Sequence, residues 1–233
     1  MGARRATLVL VHGAWHGPWC WDFLKEQLEP QGLTLQCPAL PSAGGEPAGL
    51  EEDARCLSGI LSRISGPVVL VGHSYGGMVI SAADTACSDI RRLVYLGAYM
   101  TLAGESVESS LRLAGERRPG HWIRRLPDGR TCVDAGRAGA LFYGDCSSVT
   151  QDWAIARLRP HWGGALSHSV CAPAWQRHAS TYVVCTADRA LAPHIQRDVY
   201  APRAQQVVTL GSGHSPFLSQ PEQLAQVLVS IAQ

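Results

Sequence analysis

The chain is expected to fold as an α/β protein: a mostly parallel six-stranded sheet flanked by helices and interrupted by one small insertion. Three observations lead there. Short apolar runs alternate with amphipathic stretches over residues 1–100 and again over 176–233, the pattern of βαβ units. The alternation lapses over residues 101–175, where no further doubly buried strand can be read. Between these, Val68-Val69-Leu70-Val71 breaks at Gly72-His73-Ser74-Tyr75-Gly76 straight into Gly77-Met78-Val79-Ile80, a strand turning sharply into a helix. At 233 residues the chain can bury a sizeable single-domain core.

Taken in order, Ala6 to Val11 is a continuous apolar run, as in a parallel strand covered on both faces. Trp19 to Glu29 reads as a helix with Trp21, Leu24 and Leu28 on one face, stopped by Pro30 and Gly32. Leu33 to Cys37 is a short strand. A Pro/Gly/Ser loop then leads to a helix opened by Glu51-Glu52-Asp53, acids at its positive end, with Ala54, Leu57, Leu61 and Ile64 buried. The strand before Ser74 follows, then the strand Arg92 to Ala98. Within the insertion, Val107 to Leu113 suits an amphipathic helix. Trp122 to Arg125 and Thr131 to Val133 suit a hairpin across Leu126-Pro127-Asp128-Gly129-Arg130, and Ser147 to Leu158 suits a second helix. The core resumes with the strand Ser180 to Thr186, a helix over His194 to Tyr200 and the strand Gln205 to Leu210. Ser219-Gln220-Pro221-Glu222 has the form of a capping box before a last helix buried along Leu224, Val227, Leu228 and Ile231.

Composition narrows the function. A hydrophobic fraction of 46%, a charged fraction of 17% and a net charge of +1 describe a globular protein with no polyanion partner. No nucleic-acid motif, no low-complexity tract and no apolar run of ~18 residues for a membrane span is present. Eight cysteines are scattered without Cys-x-x-Cys spacing, so no metal site is expected. Reduced thiols and the lack of a signal peptide point to a cytoplasmic protein.

The chemistry-bearing residues sit at predicted strand ends. Gly-x-Ser-x-Gly between a strand and a helix is a nucleophile elbow, with Ser74 on the tight turn. Gly72 and Gly76 are required because a Cβ there would meet the neighbouring strand and helix. The loop His12-Gly13-Ala14-Trp15-His16-Gly17, after the first strand, supplies one amide for an oxyanion and the residue after the nucleophile supplies the other; these are Ala14 and Tyr75. His12 and His16 are read as residues that hold this loop by hydrogen bonds. Asp188 and His214 follow the last two strands. Serine needs a base, histidine can accept and return a proton near neutrality, and a carboxylate fixes its tautomer. The order Ser, acid, His is that of an α/β-hydrolase scaffold.

The segments Val9 to Gly17, Gly72 to Gly77 and Cys185 to Pro193, with Leu141 to Cys146 and Ala156 to Pro160 in the insertion, resemble the plant-type methyl esterase and hydroxynitrile lyase group of the α/β-hydrolase superfamily and its bacterial relatives. The resemblance spans nearly the whole chain and is loosest over residues 105–135. It implies a Ser–His–Asp triad, no cofactor, and a small cap over an apolar pocket. Members often form dimers, so a homodimer is an expectation. Lyases of this group carry Thr after the first-loop His and Lys after the triad His; here Gly13 and Ser215 stand there, which argues against cyanide release.

The expected activity is therefore serine carboxylic-ester hydrolysis of a small hydrophobic, aromatic ester or lactone. Carbon–carbon bond lysis on the same residues and a non-catalytic small-molecule receptor are the alternatives. Residues 101–175 are expected to form the cap, with 1–100 and 176–233 the core. Four of the seven Trp residues fall in the cap. Gly13, Trp15, Trp122, Leu141, Phe142 and Trp153 are expected to line the pocket, together with Tyr75.

Overall fold

The computed structural model describes residues 5–86, 88–113, 115 and 122–233; the expectations that rest on Met1 to Arg4 and on Cys87 lie outside them. The strands are β1 (Thr7–Val11), β2 (Leu35–Gln36), β3 (Pro67–His73), β4 (Asp89–Leu96), β5 (Ile123–Arg125), β6 (Arg130–Val133), β7 (His161–Trp162), β8 (Ser180–Cys185) and β9 (Gln206–Leu210). The helices are α1 (Asp22–Leu28), α2 (Leu50–Leu61), α3 (Gly76–Ala82), α4 (Val107–Leu113), α5 (Ala135–Phe142), α6 (Ser148–Ile155), α7 (Pro193–Ile195), α8 (Pro216–Ser219) and α9 (Pro221–Ala232). A π-helical turn, Gln196–Tyr200, extends α7.

Six strands form one parallel sheet in the order β2-β1-β3-β4-β8-β9. The central strands are apolar on both faces because both faces are covered: Val68 to Val71 and Val9 to Val11 have no solvent exposure. The chain runs outward from β1 to β2, then back past β1 to β3 and on to β4. Right-handed crossovers therefore place α1 on one face and α2 and α3 on the other, and α1 packs on α9 while α2 packs on α3. Register brings the carboxyl ends of the strands to one edge: Val11 pairs with Gly72, His73 with Leu96 and Cys185 with Leu210. Backbone bonds continue beyond the strands, from Ala187 N–H to Ser212 O at 2.9 Å and from Gly97 N–H to Val183 O at 3.0 Å.

The segment between β4 and β8 carries a second, antiparallel sheet, β5-β6-β7. The expected hairpin is its first two strands. The third, β7, is a two-residue pairing too short to show a period. Helix α5 also goes beyond the sequence reading: Gly136 and Gly139 weaken its signal, and Asp134 caps it by accepting the Gly136 N–H at 3.0 Å. Two expectations need correction. The strand over Leu33 to Cys37 contracts to Leu35–Gln36, since it lies at the sheet edge and pairs on one side only. Ser219 caps nothing at α9: it belongs to α8, its hydroxyl donates back to Ser215 O, and α9 begins at Pro221 without a side-chain cap. Among the described residues no helix is long and apolar enough to cross a membrane.

The elbow needs its glycines because β3 and α3 almost touch. A Cβ on Gly72 would stand 2.6 Å from Gly76 O, and one on Gly76 would stand 2.5 Å from Val11 O, both immovable backbone. Gly59, in α2, has open space around it. Gly76→Ala is expected to destabilise the fold by at least about 1–3 kcal/mol, whereas Gly59→Ala should stabilise it by about 0.4–1 kcal/mol. Urea unfolding of the two variants checks both signs.

Candidate active site

Ser74 follows β3 with φ 53°, a left-handed conformation that a non-glycine residue adopts only when its surroundings hold it there. Backbone bonds do so: Ser74 N–H donates to Leu96 O at 3.3 Å, and Ser74 O accepts from Gly77 N–H at 3.0 Å and Tyr99 N–H at 3.2 Å. The turn pushes the side chain off the sheet edge into a cavity, and no protein group among the described residues is hydrogen-bonded to its hydroxyl.

Asp188, after β8, and His214, after β9, meet across the strand ends. His214 Nδ1 lies 2.7 Å from Asp188 Oδ2, and both side chains are buried. The carboxylate is an acceptor, so Nδ1 carries the proton and Nε2 keeps its lone pair on the side of the cavity that His214 shares with Ser74. Asp188 is held in turn. Its Oδ1 accepts from the amides of Ala190 at 2.8 Å and Leu191 at 2.9 Å, and Oδ2 also accepts from Gln196 Nε2 at 2.8 Å. Gln196, fully buried, accepts the Cys185 N–H at 2.9 Å and so ties the acid to β8. A lone glutamine in an amphipathic stretch gives no sequence signal for this. Two further supports were equally silent. His73 Nε2 donates to His214 O at 2.8 Å, and exposed Asp145 accepts the Gly213 N–H at 2.6 Å.

The loop after β1 is fixed by its histidines. His12 Nδ1 donates to Gly13 O at 2.9 Å, while its Nε2 accepts the Leu40 N–H at 3.2 Å. His16 Nδ1 donates to Ala14 O at 2.8 Å, and its Nε2 accepts from the Tyr143 hydroxyl at 2.8 Å. Burial holds both rings neutral, pushing His12 down to about 4 and His16 to about 3. Trp15, the next residue after Ala14, is the other non-glycine among the described residues with positive φ, 62°. The amides of Ala14 and Tyr75, both in turns that line the cavity, donate to no protein acceptor among the described residues. Ser74, His214 and the two residues with free amides, Ala14 and Tyr75, thus line one space.

That space is a cavity of about 170 Å³ between the sheet edge and the β4–β8 segment. Trp15, Trp122, Leu141 and Phe142 line it, together with Val107 and Leu111 of α4. Trp15 packs edge-on against Trp122 and stacks on Phe142 at 6.2 Å. Exposed Glu108 and Arg189 mark the mouth, and Tyr99, absent from the sequence-based set, adds a phenol. Two expected wall residues are elsewhere. Trp153 does not reach the cavity: it packs between Trp19 and Phe23 of the core, with the Arg157 guanidinium 4.3 Å above its ring. It joins the β4–β8 segment to α1, a role that aromatic content alone cannot tell from substrate contact. Gly13 is no wall either. A Cβ there would stand 3.0 Å from Ser74 Cβ and 3.1 Å from His73 Nδ1, so its contribution is room behind the nucleophile.

A parallel sheet with a strained serine elbow and a carboxylate–imidazole pair on neighbouring strand ends defines an α/β protein of the hydrolase type. Sequence comparison agrees: the alpha/beta hydrolase family profile matches residues 8–227, and the chain belongs to that family. It is 30% identical to putative methylesterase 14, chloroplastic, of Arabidopsis thaliana, over 97% of this chain and 71% of that protein. It is 40% identical to the carbendazim hydrolyzing esterase of a Nocardioides species, over 46% of this chain and 47% of that protein. Among solved structures, polyneuridine aldehyde esterase superposes with a TM-score of 0.84 at 23% identity, over 99% of this chain and all of that one.

The neutral histidines give stability a sign with pH. His12, His16 and His161 are held by burial at about 4, about 3 and about 3, and His73 also lies well below its ordinary value because it is buried. All four gain protons near 6.5 when the chain unfolds. Their contribution is complete above pH 6.5 and is lost as pH falls toward 4. The share of each therefore shrinks progressively through that window. Urea unfolding at pH 7 and pH 5 should show a steep loss at pH 5, with at least three protons taken up on unfolding.

Proposed function

We propose that the protein is a serine carboxylic-ester hydrolase acting through an acyl-enzyme on Ser74. The observation that carries this reading is the convergence of Ser74, the His214–Asp188 pair and the free amides of Ala14 and Tyr75 on one apolar cavity. His214 Nε2 takes the Ser74 proton as Oγ attacks the ester carbonyl. The carbonyl oxygen becomes an anion between the Ala14 and Tyr75 amides, where each donor is typically worth about 10²–10³ in rate. His214 returns the proton to the departing alcohol, then deprotonates the water that releases the acid. Asp188 keeps the proton on Nδ1 and offsets the imidazolium charge. The relatives named as a methylesterase and an esterase support the same chemistry.

The substrate class follows from the walls. Closed apolar cavities of about 150 Å³ accept a benzene-sized guest, and this one is of similar size and lined by Trp15, Trp122, Leu141 and Phe142. A small hydrophobic ester or lactone, with one aromatic ring, fits it. Residues 101–175 act in this reading as a cap that keeps the site dry and strengthens the oxyanion interaction.

Ser74→Ala should lower kcat on short-acyl aryl esters by roughly 10⁴–10⁶-fold and abolish labelling by a fluorophosphonate, while the wild type leaves mandelonitrile uncleaved. Retention of a tenth of the activity would refute the assignment. Across esters of rising size, Phe142→Ala should change kcat/KM by about 1–3 kcal/mol per methylene mismatch at most. Trp153→Ala should leave the size series unaltered and lower the melting temperature instead. A series that shifts with Trp153 and ignores Phe142 would invert the assignment of the walls.

A further inference from the structure

A buried carboxylate lies behind the elbow and takes no part in the proton relay. Asp53, on the first turn of α2, has no solvent exposure and no ion-pair partner among the described residues. Burying a charge without a cation is costly unless hydrogen bonds satisfy it, and here three do. Asp53 Oδ1 accepts the Ser42 N–H at 2.8 Å; Oδ2 accepts the Tyr75 hydroxyl at 2.7 Å and also the Ser42 hydroxyl. With its hydrogen committed to Asp53, Ser42 Oγ accepts from His161 Nε2–H at 2.9 Å. His161 is in β7, and its carbonyl accepts from the Thr131 hydroxyl of β6 at 3.0 Å, while Thr131 Oγ1 in turn accepts the Trp15 indole N–H at 3.1 Å. Every member of this chain is buried.

The two ends of the network are the informative part. At one end is Tyr75, whose amide is an oxyanion donor; at the other is Trp15, bonded directly to Ala14, the other donor. Ser74, before Tyr75, and Trp15, after Ala14, are also, among the described residues, the two non-glycine positions held at positive φ. Backbone in that region persists only when the surrounding structure over-determines it. The same network passes through the antiparallel sheet, so the β4–β8 segment is bonded to both sides of the oxyanion site. His161 reinforces this by packing edge-on against the Tyr75 ring at 5.1 Å. A core that needed only stability would be served better by apolar residues of equal volume.

We infer that Asp53 is a positioning residue for the oxyanion site, and that the Asp53–Ser42–His161–Thr131 network fixes the Tyr75 and Ala14 amides relative to each other and to the proposed cap. This rests on the esterase reading above. Its signature is a loss of transition-state stabilisation without a loss of substrate binding. Tyr75→Phe removes one hydroxyl, Thr131→Val removes the tie to Trp15, and Asp53→Asn removes the charge. Each should lower kcat roughly 10–100-fold, the cost of a small misplacement of reacting groups, with KM within about twofold. Affinity for trifluoroacetophenone, which forms a tetrahedral adduct on a serine, should fall in parallel with kcat, while affinity for acetophenone should not. Thr85→Val, which breaks a half-buried bond to His178 outside the cavity (2.8 Å), is the control: a lower melting temperature at unchanged kcat. If Asp53→Asn does not fold, Tyr75→Phe and Thr131→Val decide. Full kcat in both, with only the melting temperature reduced, would overturn the inference and leave the esterase reading standing. A wild type that neither hydrolyses esters nor is labelled at Ser74 would overturn both.

Discussion

A serine held at φ 53° is the constraint around which this molecule is arranged. That backbone costs on the order of 1–3 kcal/mol and survives because β3 and α3 are clamped together behind it. The clamp works only with hydrogen at the Cα of Gly72 and Gly76, where any Cβ would overlap backbone atoms. The parallel sheet supplies the rest. Its fully buried central strands fix the height at which β3, β8 and β9 end, and so the height at which Ser74, Asp188 and His214 stand.

Around the elbow the protein solves a harder problem, keeping many polar groups in a dry place. His12, His16, His73 and His161 are all buried beside the cavity. Each is kept neutral by desolvation, and each is used for geometry: a loop, the His214 carbonyl, a tie to the second sheet. Buried polar groups earn their place only when bonded, and most of the polar atoms near Ser74 are bonded. The exceptions include the groups a reaction would use, the Ser74 hydroxyl and the amides of Ala14 and Tyr75.

The second sheet and its helices do two jobs that look alike in composition. Phe142 and Trp122 face the cavity, while Trp153 fastens the segment to α1. Placed eleven residues apart on neighbouring helices α5 and α6, Phe142 and Trp153 differ only in which side of the segment they point from. The same segment reaches the loop after β1 through Thr131, which also bonds the His161 carbonyl, so lining the cavity and holding that loop are one structural act.

Local sequence was enough for the central strands, the elbow and the chain order of the site residues. Doubly apolar runs wrote the central strands, because a parallel strand must be apolar on both faces. Glycines flanking Ser74 wrote the elbow, because no other residue fits. The order of Ser74, Asp188 and His214 at strand ends wrote the candidate triad. Family resemblance suggested that the insertion acts as a cap. What stayed hidden was set by contacts that neither period nor motif spacing announces. Gln196 behind Asp188, Asp145 behind Gly213 and Asp53 behind Tyr75 are single polar residues whose partners lie elsewhere in the chain. The two-residue β7 has no period to read. Gly13 and Trp153 show the same limit from the other side: residue type announced proximity to the site, but whether a side chain forms a wall, fills a joint or leaves room is decided only when the elements pack.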